Sequence, residues 1–149
     1  MLKNQCHYEL MNLRQLGELE FLLLGDLRDV LEEEANEQNR KWLLAIVEVL
    51  ARTIPREFYL REKGGYLQDV VNCCPEVDQE VQTLLKEHQT LRDRLDQLRN
   101  ELQRLRPFRT QAAALKYELA EWMKKLEQHN QKEGKLVHCA YSQDMGVGD

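Results

Sequence analysis

Serine occurs once in this chain, at Ser142, which leaves nothing from which to build a serine-nucleophile site. Glycine (7) and proline (3) are scarce, so the turn-rich connections of an all-β fold are not provided for. No glycine-rich phosphate loop is present, and Gly64-Gly65 reads as a helix stop. The four cysteines, Cys6, Cys73, Cys74 and Cys139, contain no C-x-x-C pair, and adjacent Cys73-Cys74 makes a poor disulfide framework. The longest apolar runs, residues 21–24 and 42–47, are far too short to span a bilayer. Met1-Leu2-Lys3-Asn4-Gln5 shows no apolar signal-peptide region. These absences predict a reducing cytoplasm and no membrane. A basic excess is also missing. The net charge of −5 argues against nucleic acid, which needs a basic face. The arginines of residues 92–109 interleave with Glu and Asp through Glu101 and read as a solvated helix face.

What is present favours helix. A chain of 149 residues makes one domain, and Leu, Glu, Gln and Arg, all strong helix formers, dominate it. Apolar residues recur at spacings of three and four in four blocks. The first carries Leu13, Leu16, Leu23, Leu27 and Val30, and the second Leu43, Ile46, Leu50 and Leu60. The third carries Val81, Leu84, Leu91, Leu95, Leu98, Leu102 and Leu105. The fourth carries Ala112, Leu115, Leu119, Trp122, Leu126 and Leu136. Trp42 and Trp122 sit on or beside these stripes, so packing is their expected role. Asn36 or Asn39 can cap the second helix, Pro75 suits the first turn of the third, and Thr110 can cap the fourth. Pro107 breaks block three from block four, and Pro55 should kink or restart the second helix. The pattern predicts an all-α, antiparallel up-down-up-down four-helix bundle over residues 1–141, with helices near 8–34, 36–62, 76–105 and 109–133. The alternative is a third helix running through Pro107 into an extended coiled-coil dimer. Residues 142–149 lack apolar period and are expected to form an extended or mobile tail.

Polar residues interrupt every stripe. Glu20 falls between Leu16 and Leu23, Glu57 continues the second series, and His88 lies between Leu84 and Leu91. His129 and then Glu133 continue the fourth. In a helical hairpin, two residues share a level when the turn lies midway between them. The Glu20–Glu57 midpoint falls beside Asn39, the Glu57–His88 midpoint in the connector before Pro75, and the His88–His129 midpoint beside Phe108. One layer should therefore hold Glu20, Glu57, His88 and His129, with Glu133 one turn beyond. A buried charge or imidazole needs a partner. Two imidazoles and two or three carboxylates can bind iron, manganese or zinc. The other reading is a metal-free, hydrogen-bonded salt cluster. Arg61, four residues after Glu57, and Arg92, four after His88, can each bring a cation to it. His7 has no stripe partner, and His138-Cys139 lies off the clear stripe.

At these residues the chain resembles the hemerythrin-like cation-binding domains, particularly a bacterial branch. The matching pieces are Gly64-Gly65-Tyr66-Leu67, Glu87-His88-x-x-Leu91 and His129-x-x-x-Glu133-x-x-Leu136, with Leu23-Leu24-Gly25-Asp26-Leu27-Arg28 similar to the first-helix pattern. The resemblance spans roughly residues 16–140 and rests on the order and spacing of the pieces. It implies a four-helix bundle binding non-haem iron, often as a di-iron pair, for oxygen handling or redox sensing. The family's usual pattern has His on the first helix and His-x-x-x-Glu on the second. Here those positions read Glu20 and Glu57-x-x-x-Arg61, while Arg92 follows His88 on the third. The resemblance therefore implies either an altered site, with Glu20, Glu57, His88, His129 and Glu133 as candidate ligands, or a bundle without metal acting as a protein-interaction module. The chain is expected as a monomer or homodimer, its protein partner unidentified.

Overall fold

The computed structural model describes residues 10–63 and 66–148. Cys6, His7, the Gly64-Gly65 stop and Asp149 lie outside them. The described residues contain no strand. They form a helical bundle of four long helices and one short one: α1 (Leu13–Leu31), α2 (Glu37–Lys63), α3 (Tyr66–Cys73), α4 (Asp78–Arg104) and α5 (Phe108–Gly148). A 3₁₀ turn, Pro75–Val77, precedes α4.

Local chemistry sets the boundaries. Asn12 and Gln15 form a reciprocal capping box at α1, with the Gln15 amide donating to Asn12 Oδ1 at 2.9 Å. Asn36, rather than Asn39, caps α2, its Oδ1 accepting from the Asn39 amide at 2.8 Å. α2 continues through Pro55 instead of restarting. Buried Ile54 and Phe58 on either side hold both halves of the helix against the core. The connector expected before Pro75 is largely α3, whose Leu67 and Val70 are buried. α4 stops at Arg104, so the third helix does not run through Pro107. α5 starts at Phe108, which puts Thr110 inside its first turn rather than at the cap.

Two further expectations need correcting. Residues 142–148 are helical in backbone, not extended. Loss of the apolar period does not stop the i→i−4 ladder, and no proline follows Pro107 to break it. Trp42 is 57% exposed, because Leu43, Ile46 and Val47 form the buried face of α2 and leave Trp42 outside it. Trp122 packs as expected and donates from Nε1 to the Leu91 carbonyl at 2.9 Å.

The core has two apolar parts. The larger joins α1, α2, α4 and α5 from Leu24 to Leu126 and includes Phe58, Leu91, Leu98 and Trp122. The smaller joins Leu67, Val70, Cys74, Val81, Val137 and Ala140. Along α4 and α5, buried polar residues lie between these parts: His88 on α4, and His129 and Glu133 on α5. That polar layer is the candidate site. No helix among the described residues is long and apolar enough to cross a membrane.

Candidate metal centre

The five polar interruptions singled out in the sequence, Glu20, Glu57, His88, His129 and Glu133, are all buried. The two imidazoles meet with ring centroids 4.7 Å apart. Phe58 stacks on His88 at 3.9 Å and nearly parallel, which fixes that ring on its apolar side.

Each imidazole is held from behind by a carboxylate. His88 Nδ1 lies 2.9 Å from Glu62 Oε1, and His129 Nδ1 lies 2.9 Å from Glu87 Oε1. An ionised carboxylate has no hydrogen to give, so Nδ1 is the donor in both pairs. Burial pushes Glu87 up, but its contacts with His129 and Lys132 outweigh this and hold it below its ordinary value. With one proton held on Nδ1, Nε2 is the ring nitrogen each histidine turns to the interior. Neither Nε2 has a hydrogen-bond partner.

Those two nitrogens converge on one carboxylate. Glu133 Oε2 lies 3.1 Å from His129 Nε2 and 3.5 Å from His88 Nε2. His88, His129 and Glu133 each offer one ligand atom, all within 4.8 Å of one another. Ligand atoms about 2.0–2.2 Å from one ion sit about 3.0–3.5 Å from each other in tetrahedral or octahedral geometry. The group can hold a metal ion. Orphaned inward nitrogens on rings fixed by outer carboxylates are also how metal-binding histidines are set.

Glu20 and Glu57 share the layer but not this trio. Arg61 donates from Nη2 to Glu57 Oε1 at 2.6 Å and from Nη1 to Glu133 Oε2 at 3.0 Å. Asn130 donates to Glu20 Oε1 at 2.8 Å and accepts from Arg61 at 3.5 Å. Of the two arginines expected to bring a cation inward, Arg61 does so. Arg92 is partly exposed and donates to Gln89 on its own helix. Glu57 is pushed up to about 9 by burial and by its contact with Glu20, with Arg61 opposing. Burial raises Glu133, but His129, His88 and Arg61 hold it well below the usual carboxylate range. For His129, burial lowers the value, and Glu133 and Glu87 outweigh it and raise it.

The sequence reading gave no site role to Glu62, Glu87, Asn130 or Phe58. Glu87 and Asn130 each adjoin a layer histidine in the chain, so side chains flanking a core polar residue were the available signal. Glu62 carries none, because it lies five positions after Glu57, at the edge of the stripe. His138 and Cys139 are exposed and take no part.

The geometry defines a helical bundle with a buried His–His–Glu group. No protein-family model matches the chain, and neither does any curated protein or solved structure.

Proposed function

We propose that this chain is a hemerythrin-like, antiparallel up-down-up-down four-helix bundle that carries an altered non-haem metal centre for redox or oxygen sensing. The observation that carries the reading is the convergence of unpartnered His88 Nε2 and His129 Nε2 on the Glu133 carboxylate. The topology is supported by the order of contacts between helices. As α4 runs from Glu87 through Leu91 to Arg94, its α5 partners run back from His129 through Trp122 to Glu118. Along α1 and the turn after it, Glu20, Arg28 and Glu33 meet Asn130, Glu127 and Lys116 in the same opposed order.

Two imidazoles and one carboxylate, with positions left open, suit non-haem iron, and manganese or zinc can take the same donors. His88, His129 and Glu133 would hold the ion, which would supply a redox couple and a vacant coordination position. Glu62 and Glu87 orient the rings and keep their protons on Nδ1. Phe58 covers one face of His88, and the apolar clusters flank the layer on either side. Arg61 shares Glu133 Oε2 with the two histidines, while Oε1 has no hydrogen-bond partner.

A second reading has its own observation. Arg61 already sets a positive charge between Glu57 and Glu133, so the layer can neutralise itself without an ion. The chain is then a metal-free interaction module whose polar layer fixes helix register. Elemental analysis after expression with iron, manganese and zinc separates the two. The metal reading expects about one ion per chain, lost in His88→Ala. Trace metal that survives in His88→Ala leaves the interaction module.

A further inference from the structure

Among the described residues, two openings that reach the polar layer carry opposite charge. The larger is a cleft of about 620 Å³ between α1 and α5, floored by Glu20, Glu57, Arg61 and Asn130. Asp26, Asp29 and Glu127 stand along it; Glu127 is paired with Arg28 at 2.6 Å, and the acidic side chains still outnumber the two arginines, Arg28 and Arg61. Gly17 and Gly25 on α1 keep its wall low, since a Cβ at either meets nothing within 4 Å. The smaller opening, about 300 Å³, reaches His129 between α4 and α5. It presents Lys125 and Lys132 against a single carboxylate, Glu87, which is already bound to His129 and Lys132.

Inside the acidic cleft, Glu20 and Glu57 are 5% and 1% exposed, and Oε2 of each is buried without a hydrogen-bond partner. Their other oxygens are taken by Asn130 and Arg61. Two carboxyls packed against each other at the end of an acidic cleft, with no positively charged group on either Oε2, form a landing place for a small cation. Arg61 joins Glu57 to Glu133 and so stands between this pair and the histidines.

We propose that the α1–α5 cleft is the route by which a divalent cation reaches the centre, with Glu20 and Glu57 its landing site and Arg61 the group that must yield to let it pass. The inference rests on the metal reading above. A cleft lined by one sign of charge concentrates the opposite ion and speeds its capture, an effect that added salt weakens. The basic groove beside His129 disfavours the same ion. Cleft carboxylates therefore govern how fast metal is taken up, whereas His88, His129 and Glu133 govern how tightly it is held.

The test is stopped-flow uptake of cobalt(II) by metal-free protein, followed by cobalt absorption, with affinity measured separately by chelator competition. The rim variant Asp26→Asn/Asp29→Asn/Glu127→Gln alters exposed or half-exposed side chains. It is expected to slow uptake about tenfold, with affinity unchanged and a weaker salt dependence. Glu20→Gln is expected to slow uptake as well, and Lys125→Gln in the basic groove to leave the rate as it is. Cobalt bound at an undiminished rate by the rim variant and by Glu20→Gln overturns the route and leaves the centre standing. Slowing by Lys125→Gln equal to that of the rim variant also overturns it. Failure of the wild-type chain to bind cobalt overturns the centre, and the route with it.

Discussion

His129 and Glu133 stand one turn apart on α5 and hold Nε2 and Oε2 3.1 Å apart, yet His129 Nε2 makes no hydrogen bond. Two ligands of one ion stand this way, close together but aimed at a third point. Glu87 holds His129 from the far side of its ring, and Glu62 does the same for His88. Glu62 and Glu87 are therefore expected to set metal affinity without touching the ion. Glu62→Ala and Glu87→Ala should each weaken binding roughly 10–100-fold, and His88→Ala should abolish it. Chelator competition measures this. Full affinity in both carboxylate variants would mean that the rings are not held for a metal.

Much of this layer was legible in the sequence, because its residues break strong apolar stripes. His88 between Leu84 and Leu91, and Glu133 after Leu126 and His129, must face inward if their neighbours do. Hairpin geometry then sets their level, and the short His88–His129 distance agrees with it. The division of labour was not legible. Periodicity places Glu57 and Glu133 alike, but only the three-dimensional reach of Arg61 separates Glu57 from the histidine side. Arg61 and Arg92 had equal standing as residues four positions beyond a core polar group. The structure turns one inward and leaves the other beside Gln89. Trp42 failed for a related reason, since a residue next to a stripe is not on it.

Arg61 is expected to matter most when the metal is absent. Its side chain is 18% exposed, and Glu57 and Glu133, its partners, are 2% exposed. Removing one member of a buried ion pair strands the other charge. Arg61→Ala should therefore destabilise the metal-free protein by about 3 kcal/mol. Bound metal would neutralise Glu133, so the loss should be smaller in the loaded protein. Urea denaturation with and without metal checks both. An Arg61→Ala protein as stable as wild type without metal would show that the carboxylates neutralise themselves by protonation.

Gly25 lies inside α1, where its backbone is helical and a Cβ would meet nothing within 4 Å. Alanine restricts the unfolded chain and favours helix. Gly25→Ala should stabilise the protein by about 0.5–1 kcal/mol. Thermal denaturation reads the change. A lower melting temperature would mean that the cleft wall packs more closely than α1 and α5 do in this structure.

The metal-free protein should lose stability as the solution becomes alkaline. Burial, with Glu20 beside it, pushes Glu57 up to about 9 from 4.5, so between those values the folded chain holds a proton that the unfolded chain has released. Stability then falls as pH rises through that window. His129, raised above 6.5 by Glu133 and Glu87 against the effect of burial, acts in the same direction. Its contribution is complete below 6.5 and disappears as pH climbs through the folded value. Glu133 works oppositely, because a carboxyl held well below 4.5 contributes stability above 4.5 that is lost on acidification. The three together place the stability maximum in mildly acidic solution. Glu57→Gln keeps the shape of the side chain and removes its titration, so the alkaline decline should become shallower while the His129 part remains. Denaturation midpoints measured across pH on chelator-treated protein test this. A decline as steep in Glu57→Gln as in wild type would show that Glu57 does not hold the proton.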